Sequence, residues 1–292
     1  MKKLAASLVL GVTALTVAVA PFARGQTAFV VHKVNEAHLA GAPPSMPFFV
    51  LVVGSDARPG QSGGRGDALH LIGVNPALSR ATILNIPRDT YVSVPGQGRA
   101  KINDAMAAGG PTLQGRVVGD LVGVTVSFVV STDFAGFTGM VDELGGVDVN
   151  VPFAMNEPLS GARFAAGMNH LDGANALAFS RNRHIPDGDI RRSEHQGILI
   201  LAALAKLHAD TSATATIRHL GVLLRHARLD GVGLNDAFRL GRIALSLDPS
   251  SIRNVTMPST VGTAGSASVV FPAPGADALF ADFRDNAVLD AH

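Results

Sequence analysis

Charged residues make up only 16% of this 292-residue chain, and several of them stand directly beside apolar, strand-like runs. Asp56 follows the run from Pro47 to Val53, and Asp67 precedes the run from Ala68 to Val74. If those runs are sheet neighbours joined by the loop 54–66, both carboxylates lie at one end of the sheet, where loops of α/β proteins bind ligands. Two carboxylates held together repel, raising one pKa, unless a cation neutralises them. Mg²⁺, which needs few protein ligands and keeps open water positions, is a natural occupant. A pair of loop caps accepting backbone N–H groups is the plainer reading of the same residues. Arg88 and Asp89 end a third run, within Ile86-Pro87-Arg88-Asp89-Thr90.

A second group comprises Arg181, Arg183, Asp187, Asp189, Arg191, Arg192 and Gln196. Arginines at i and i+2 of an extended segment point two guanidinium forks to one side. Such forks match the oxygens of phosphate or pyrophosphate. Arg192 and Gln196 are one turn apart near the start of an expected helix, whose free N–H groups and partial positive charge favour an anion. A solvated salt-bridge network is the alternative. Lys101, after a Pro-Gly turn, either reaches the site of Arg88 or sits on the surface.

Other chemistry fails on context. Gly60-Gln61-Ser62-Gly63-Gly64 spells G-x-S-x-G, but a nucleophile elbow needs a strand directly before the serine and a helix directly after it. Here Ser62 lies nine residues past a strand and another strand follows, so a glycine-rich loop is the better account. The ten histidines show no HExxH spacing, and there is no P-loop. The absence of cysteine removes disulfides, thiolate metal sites and cysteine nucleophiles together. A formal net charge of +1 with 47% hydrophobic residues excludes disorder and argues against a nucleic-acid binder.

The N-terminus carries Lys2 and Lys3 before an uncharged stretch from Leu4 to Phe22. That pattern fits a signal peptide or an uncleaved signal-anchor over residues 1–25, with the remainder outside the cytoplasm. The expected location is the cell membrane with an extracytoplasmic domain, or a cleaved and secreted form. Residues 26–46 read as a linker or an entry helix, and 47–292 as one domain.

The elements that must position these residues alternate between strand and helix. Strands are expected at 47–53, 68–74, 81–86, 124–130, 147–151, 255–258 and 268–271. Helices are expected at 111–121, 133–144, 193–208, 213–228 and 233–247, with a short one from Ala276. The helix 193–208 is apolar nearly all round and should be buried. The economical fold class is α/β, one domain built on a mixed sheet.

In order and spacing, these residues resemble the LytR–CpsA–Psr cell-wall ligases. The resemblance rests on Gly54-Ser55-Asp56, Arg65-Gly66-Asp67, Ile86-Pro87-Arg88-Asp89-Thr90, Lys101-Ile102-Asn103 and Asp133-Phe134-Ala135-Gly136-Phe137. It continues through Leu144-Gly145-Gly146-Val147, Leu171 to Leu177, Arg181-Asn182-Arg183 and Asp189-Ile190-Arg191-Arg192, and is clearest over residues 48–208. It implies an α/β/α sandwich around a central mixed β-sheet. It also implies a phosphotransferase that moves a glycopolymer from a polyprenyl-pyrophosphate carrier onto peptidoglycan. The implied site has Asp56 and Asp67 on Mg²⁺, and Arg88, Asp67 and Arg181 at the reaction centre. Arg88, Arg181, Arg183, Arg192 and Gln196 would hold the pyrophosphate, with Lys101 and Asp189 supporting them. The membrane through the N-terminal segment, the carrier-linked glycopolymer and peptidoglycan are the implied partners; nucleic acid is not. An apolar tunnel would take the lipid, with the helix 193–208 as one wall. Three positions depart from the family pattern: His195-Gln196-Gly197 replaces Arg-Gln-Gln, Val126-Ser127-Phe128-Val129 replaces Ile-Asp-x-Tyr, and Ala68 replaces Ser or Thr. A non-catalytic protein of the same fold, binding polyprenyl pyrophosphate or cell-wall glycan, is the alternative function.

Overall fold

A computed structural model describes residues 29–34, 45–56, 64–183, 188–209, 221 and 226–289. The expected export segment 1–25, the glycine motif 60–64 for the most part, Asp187 and most of the expected helix 213–228 lie outside the described residues. Among the described residues, no helix is long and apolar enough to cross a membrane.

Seven strands form the central sheet: β1 (Phe29–Lys33), β2 (Phe48–Ser55), β3 (Gly66–Asn75), β4 (Arg80–Asn85), β7 (Val126–Thr132), β12 (Ala227–Asp230) and β13 (Ile252–Thr256). Their order is β12-β1-β7-β2-β3-β4-β13. β2 pairs antiparallel with β3 and parallel with β7, and β4 pairs parallel with β13, so the sheet is mixed. The apolar runs produced these strands close to their expected limits. One expectation fails, since residues 29–33 are neither linker nor helix but strand β1. The β-branched pair Val30-Val31 seats it between β7 and β12, with Val31 buried against Phe128 and Val232. The last residues of the expected helix 213–228 are likewise strand, in β12.

Among the described residues, six helices flank the sheet and its satellite: α1 (Asp104–Val122), α2 (Phe134–Glu143), α3 (Gly173–Arg181), α4 (Gly188–His208), α5 (Leu234–Ser246) and α6 (Ala276–Asn286). Strand alternation divides the apolar residues between two faces. Leu51, Val53, Leu69, Leu71 and Leu84 pack with α1 and α6, through Val117, Val118, Phe280 and Phe283. Val74, Ala81 and Ile83 pack with α4 and α5, through Leu201, Leu204, Leu240 and Ile243. The layers are therefore α/β/α. α1 starts seven residues before its expected limit, but its backbone breaks at Gly109 and Gly110, so its second segment begins at Pro111 as expected. Pro tolerates a helix start because its missing N–H would be unpaired there.

A satellite core lies beside the sheet between α2, α3, α4 and two short antiparallel pairs. These pairs are β8 (Val147–Val151) with β11 (Gly167–Leu171), and β9 (Met155–Glu157) with β10 (Ala162–Phe164). Two of the sequence motifs are helix starts here. Asp133 caps α2 by accepting from Gly136 N–H at 2.7 Å, and Asp172 caps α3 by accepting from Asn175 N–H at 2.8 Å. Gly173 follows that cap because a Cβ there would stand 2.2 Å from the Thr138 carbonyl oxygen, so only glycine lets α3 approach α2. Two more hairpins complete the fold, β5 (Tyr91–Val94) with β6 (Gly98–Lys101) and β14 (Ser259–Ala264) with β15 (Ala267–Pro272).

Candidate active site

β2 and β3 are antiparallel neighbours, so Asp56 and Asp67 do stand at one end of the sheet. A β-bulge refines that placement. Gly54 pairs with Ala68 and Ser55 with Gly66, which leaves Asp67 as the extra residue on β3. A bulge redirects a side chain and ends regular pairing, a recurrent device beside functional sites. Asp67 accepts a hydrogen bond from Arg88 Nη1 at 2.7 Å. Asp56 accepts from the Arg65 N–H at 2.8 Å, so it is a loop cap in this structure. Both carboxylates line one cavity.

That cavity has a volume of about 670 Å³ and lies between the α4 face of the sheet and the helices α2 and α4. Val52 and Val130 form its floor, and Phe137, Met140, Leu199, Ile200, Ala203 and Leu204 its apolar walls. Arg181, Arg183, Arg192, Gln196 and Ser180 also line it, with Asp56 and Asp67. The result is a largely apolar volume carrying a concentrated set of guanidinium groups, a lining suited to an amphiphile with an anionic head.

Asp189 organises the guanidinium groups. Its Oδ1 lies 2.8 Å from Arg192 Nη2, 3.4 Å from Arg88 Nε and 3.9 Å from Arg183 Nε. Arg192 is 3% exposed and also donates to the Asp67 carbonyl at 3.2 Å. Burial lowers its pKa to about 10, a loss that Asp189 partly offsets, so it stays charged at neutral pH. Burial also opposes the charge on Arg88, but Asp189 and Asp67 together outweigh it and push that pKa above its ordinary value. Arg88 Nε, Arg192 Nε, Asp189 Oδ2 and Gln196 Oε1 are buried with no hydrogen-bond partner. Such orphans are rare in native proteins, and those beside the cavity are available to a polar ligand.

Not every expected residue reaches the cavity. Arg88 stands behind Asp67, and Lys101 pairs with Asp89 at 3.1 Å; neither lines the cavity wall. Arg181 and Arg183 do share one side, but not through an extended segment. Arg181 ends helix α3, and only the Asn182 between them is extended. Arg181 lies over the Phe134 ring, 5.4 Å from its centroid, which holds the fork at the cavity without a carboxylate. Among the described residues no group of three or more His, Asp and Glu is arranged to hold a metal ion.

His195 is not a substitute cation. It is 2% exposed, stacks on Phe179 with centroids 5.0 Å apart, and burial pushes its pKa down to about 4. It belongs to the satellite core, as does Phe153, 5.7 Å away. Gly197 in the same motif has a separate cause. A Cβ there would stand 2.1 Å from Asn254 Oδ1 and 2.6 Å from Asn85 Oδ1, so glycine lets α4 settle onto a polar ladder across β4 and β13. In that ladder Asn85 Nδ2 donates to Asn254 Oδ1 at 2.7 Å, and Asn254 Nδ2 donates to the Glu194 carbonyl at 3.3 Å.

Sequence reasoning missed the residue that begins this ladder. His70 lines the cavity, is 2% exposed, and lies 2.7 Å from Asn85 Oδ1 through Nδ1. Burial lowers its pKa to about 4, with the Arg192 charge adding to the effect, so it is neutral with its proton on Nδ1. Period-two alternation from Ala68 would have placed it on the cavity face, and a histidine inside an apolar strand was the signal.

The profile of the LytR_cpsA_psr family matches residues 26–280. The chain belongs to that family. It is 37% identical over 176 residues to the polyisoprenyl-teichoic acid–peptidoglycan teichoic acid transferase TagU of Bacillus mycoides (strain KBAB4), covering 59% of this chain and 56% of that one. It is 30% identical over 255 residues to the probable cell wall biosynthesis protein LcpB of Corynebacterium glutamicum, covering 80% of this chain and 60% of the relative. These matches thus span little more than half the length of the curated relatives. Among solved structures, TagV of B. subtilis superposes with a TM-score of 0.70 at 23% identity, over 85% of this chain and 99% of that one, which shows the fold. TagT bound to LI-WTA gives a TM-score of 0.63 at 26% identity, over 86% of this chain and 92% of that one. In this family member, the motifs that carried the sequence resemblance divide into helix caps and close approaches on one side and the arginine cluster on the other.

Proposed function

We propose that this family member is a phosphotransferase that moves a glycopolymer from a polyprenyl-pyrophosphate carrier onto a peptidoglycan hydroxyl. The observation that carries the reading is one cavity joining an apolar volume to Arg181, Arg183 and Arg192, with orphaned polar atoms beside them. The lipid of the carrier fits the apolar part and its pyrophosphate the guanidinium groups. The acceptor hydroxyl oxygen attacks the phosphorus bearing the glycopolymer and forms the phosphodiester, its proton passing to solvent. The bond from that phosphorus to the bridging oxygen breaks, and polyprenyl phosphate leaves. Such a transfer asks the protein mainly for positioning and charge neutralisation, which Arg88, Arg183 and Arg192 around Asp189 supply together with Arg181 at the cavity wall. No nucleotide is required, since the pyrophosphate bond itself drives the step.

Asp56 and Asp67 are the residues suited to Mg²⁺. Two carboxylates with room for water and phosphate oxygens match the coordination habit of that ion. When bound, it would neutralise charge on the transferred phosphate. Asp67 also fixes Arg88, and Asp189 fixes Arg88, Arg183 and Arg192 for the bidentate grip that phosphate oxygens accept. Names of the relatives support a transferase acting on cell-wall polymers, and the basic, apolar N-terminal sequence supports a membrane-attached, extracytoplasmic setting.

The test is to incubate the protein with a polyprenyl-pyrophosphoryl oligosaccharide, peptidoglycan fragments and Mg²⁺, and to seek the phosphodiester product by mass spectrometry. Product is expected with wild type and not with Arg88→Ala or with chelator. Carrier binding without product would support the binding-protein alternative instead.

A further inference from the structure

The transferase reading requires a second substrate besides the carrier assigned to the cavity. Arg88 and Lys101 stand outside the cavity wall, and from them a separate surface extends along the β5–β6 hairpin. Val92 and Val94 pack into the core, so Tyr91 and Ser93 face outward. Their cross-strand partners Lys101 and Arg99 share that outer face. The Arg99 guanidinium lies over the Tyr91 ring, 4.7 Å from its centroid. Tyr91 meets Phe271 of the neighbouring β14–β15 hairpin edge-to-face, with centroids 6.0 Å apart.

This surface is joined to the site. Thr90 is buried and bridges to Val270, and the Val270 N–H donates to the Asp89 carbonyl at 2.9 Å. Lys101 pairs with Asp89 at 3.1 Å, and Asp89 lies 3.9 Å from Arg88. Arg99 differs from these neighbours. It is exposed and makes no ion pair with a carboxylate among the described residues, whereas Arg65 at the same sheet end pairs with Asp104 at 3.0 Å. An arginine held on an aromatic face keeps its fork free for an anion while the rings beside it offer apolar area.

We propose that the outer face of the β5–β6 hairpin, with Arg99 on Tyr91 beside Phe271, binds the acceptor: a glycan strand bearing carboxylated peptide stems. The inference rests on the transferase reading and names the place of its second substrate. Sugar C–H faces lie against the rings, and a stem carboxylate takes the Arg99 fork. Continuity through Lys101, Asp89 and Arg88 delivers the acceptor hydroxyl to the phosphate from outside the lipid cavity. An acidic strand also complements the two cations on this face.

The test uses the full chain and soluble peptidoglycan fragments, either with free carboxylates or with the same groups amidated. Wild type is expected to bind the free form about tenfold more tightly than the amidated form. Arg99→Gln should remove that difference, and Tyr91→Leu should weaken both forms. Equal binding of free fragments by wild type and Arg99→Gln overturns the proposal, as does equal binding of free and amidated fragments by wild type. The acceptor KM in the transfer reaction separates this inference from the reading beneath it. Product formed at an unchanged acceptor KM by Arg99→Gln rejects the surface and keeps the transferase. Arg99-dependent binding without any product rejects the transferase and keeps the surface.

Discussion

Asp189 is the most informative position for a single substitution, because three guanidinium groups converge on it at 2.8, 3.4 and 3.9 Å. Asp189→Asn preserves size and removes the charge that offsets the burial of Arg192. Breaking a fully buried ion pair costs about 3–5 kcal/mol. Asp189 and Arg88 retain side-chain exposures of 20% and 17%, so water screens part of the imbalance, while Arg192 at 4% receives little help. The loss should therefore fall near the low end, about 2–3 kcal/mol. For a domain of this size that corresponds to roughly 4–12 °C in Tm. Inorganic pyrophosphate should reverse the loss, since it supplies the missing negative charge, and it should raise the Tm of Asp189→Asn more than that of wild type. Differential scanning fluorimetry with and without millimolar pyrophosphate measures both quantities. A Tm within 2 °C of wild type, or an equal pyrophosphate shift in both proteins, would refute the idea that Asp189 stands in a guanidinium cluster built for an anion.

Gly197→Ala places a Cβ 2.1 Å from Asn254 Oδ1, so α4 must lift from the sheet; about 2–3 kcal/mol of stability should be lost in urea unfolding, and carrier affinity with it. His70 and His195 have folded pKa values of about 4, below the unfolded 6.5, so their contribution is complete above pH 6.5 and is lost as pH falls towards 4. At pH 5 each should cost about 2 kcal/mol relative to pH 7.5, and His195→Leu should remove roughly half of that loss in urea midpoints measured at the two pH values. Ala203→Phe fills part of the cavity wall, and should leave Tm near wild type while weakening long polyprenyl carriers more than short ones in a binding assay. Arg183→Lys should lose most transfer activity in single-turnover assays, because an ammonium cannot reproduce a bidentate fork.

Local pattern explains how much of this molecule could be read in advance. Period-two and apolar runs located β2, β3, β4, β7 and β8, because each strand must bury at least one face. Asp133 opened an expected helix, since a capping carboxylate acts within three residues of its own position, whereas the helix that Asp172 caps was not expected. The arginines were conspicuous in a chain with so little charge. What escaped was decided at long range. FVVHK in β1 carries no local sign that it belongs between β7 and β12. The seat of Asp67 depends on a bulge in the β2–β3 register, which no window of sequence records. Lys101 was grouped with the cavity arginines, yet it pairs with Asp89 and does not line the cavity, while Arg88 meets the cluster through Asp67 and Asp189.

By itself, then, the sequence determined the kind of molecule: an α/β chain of one family, carrying acidic residues at strand ends and arginines on either side of a buried helix start. Those features follow from short-range stereochemistry and from the identity of side chains. Only the tertiary structure decided that an apolar cavity adjoins those arginines, that Asp189 gathers three of the guanidinium groups, and that His195 is a core residue instead of a cation. Each of these depends on which distant elements pack together and how much water they exclude. Burial and pairing are properties of that packing, and they set whether a charged residue serves the fold or a ligand.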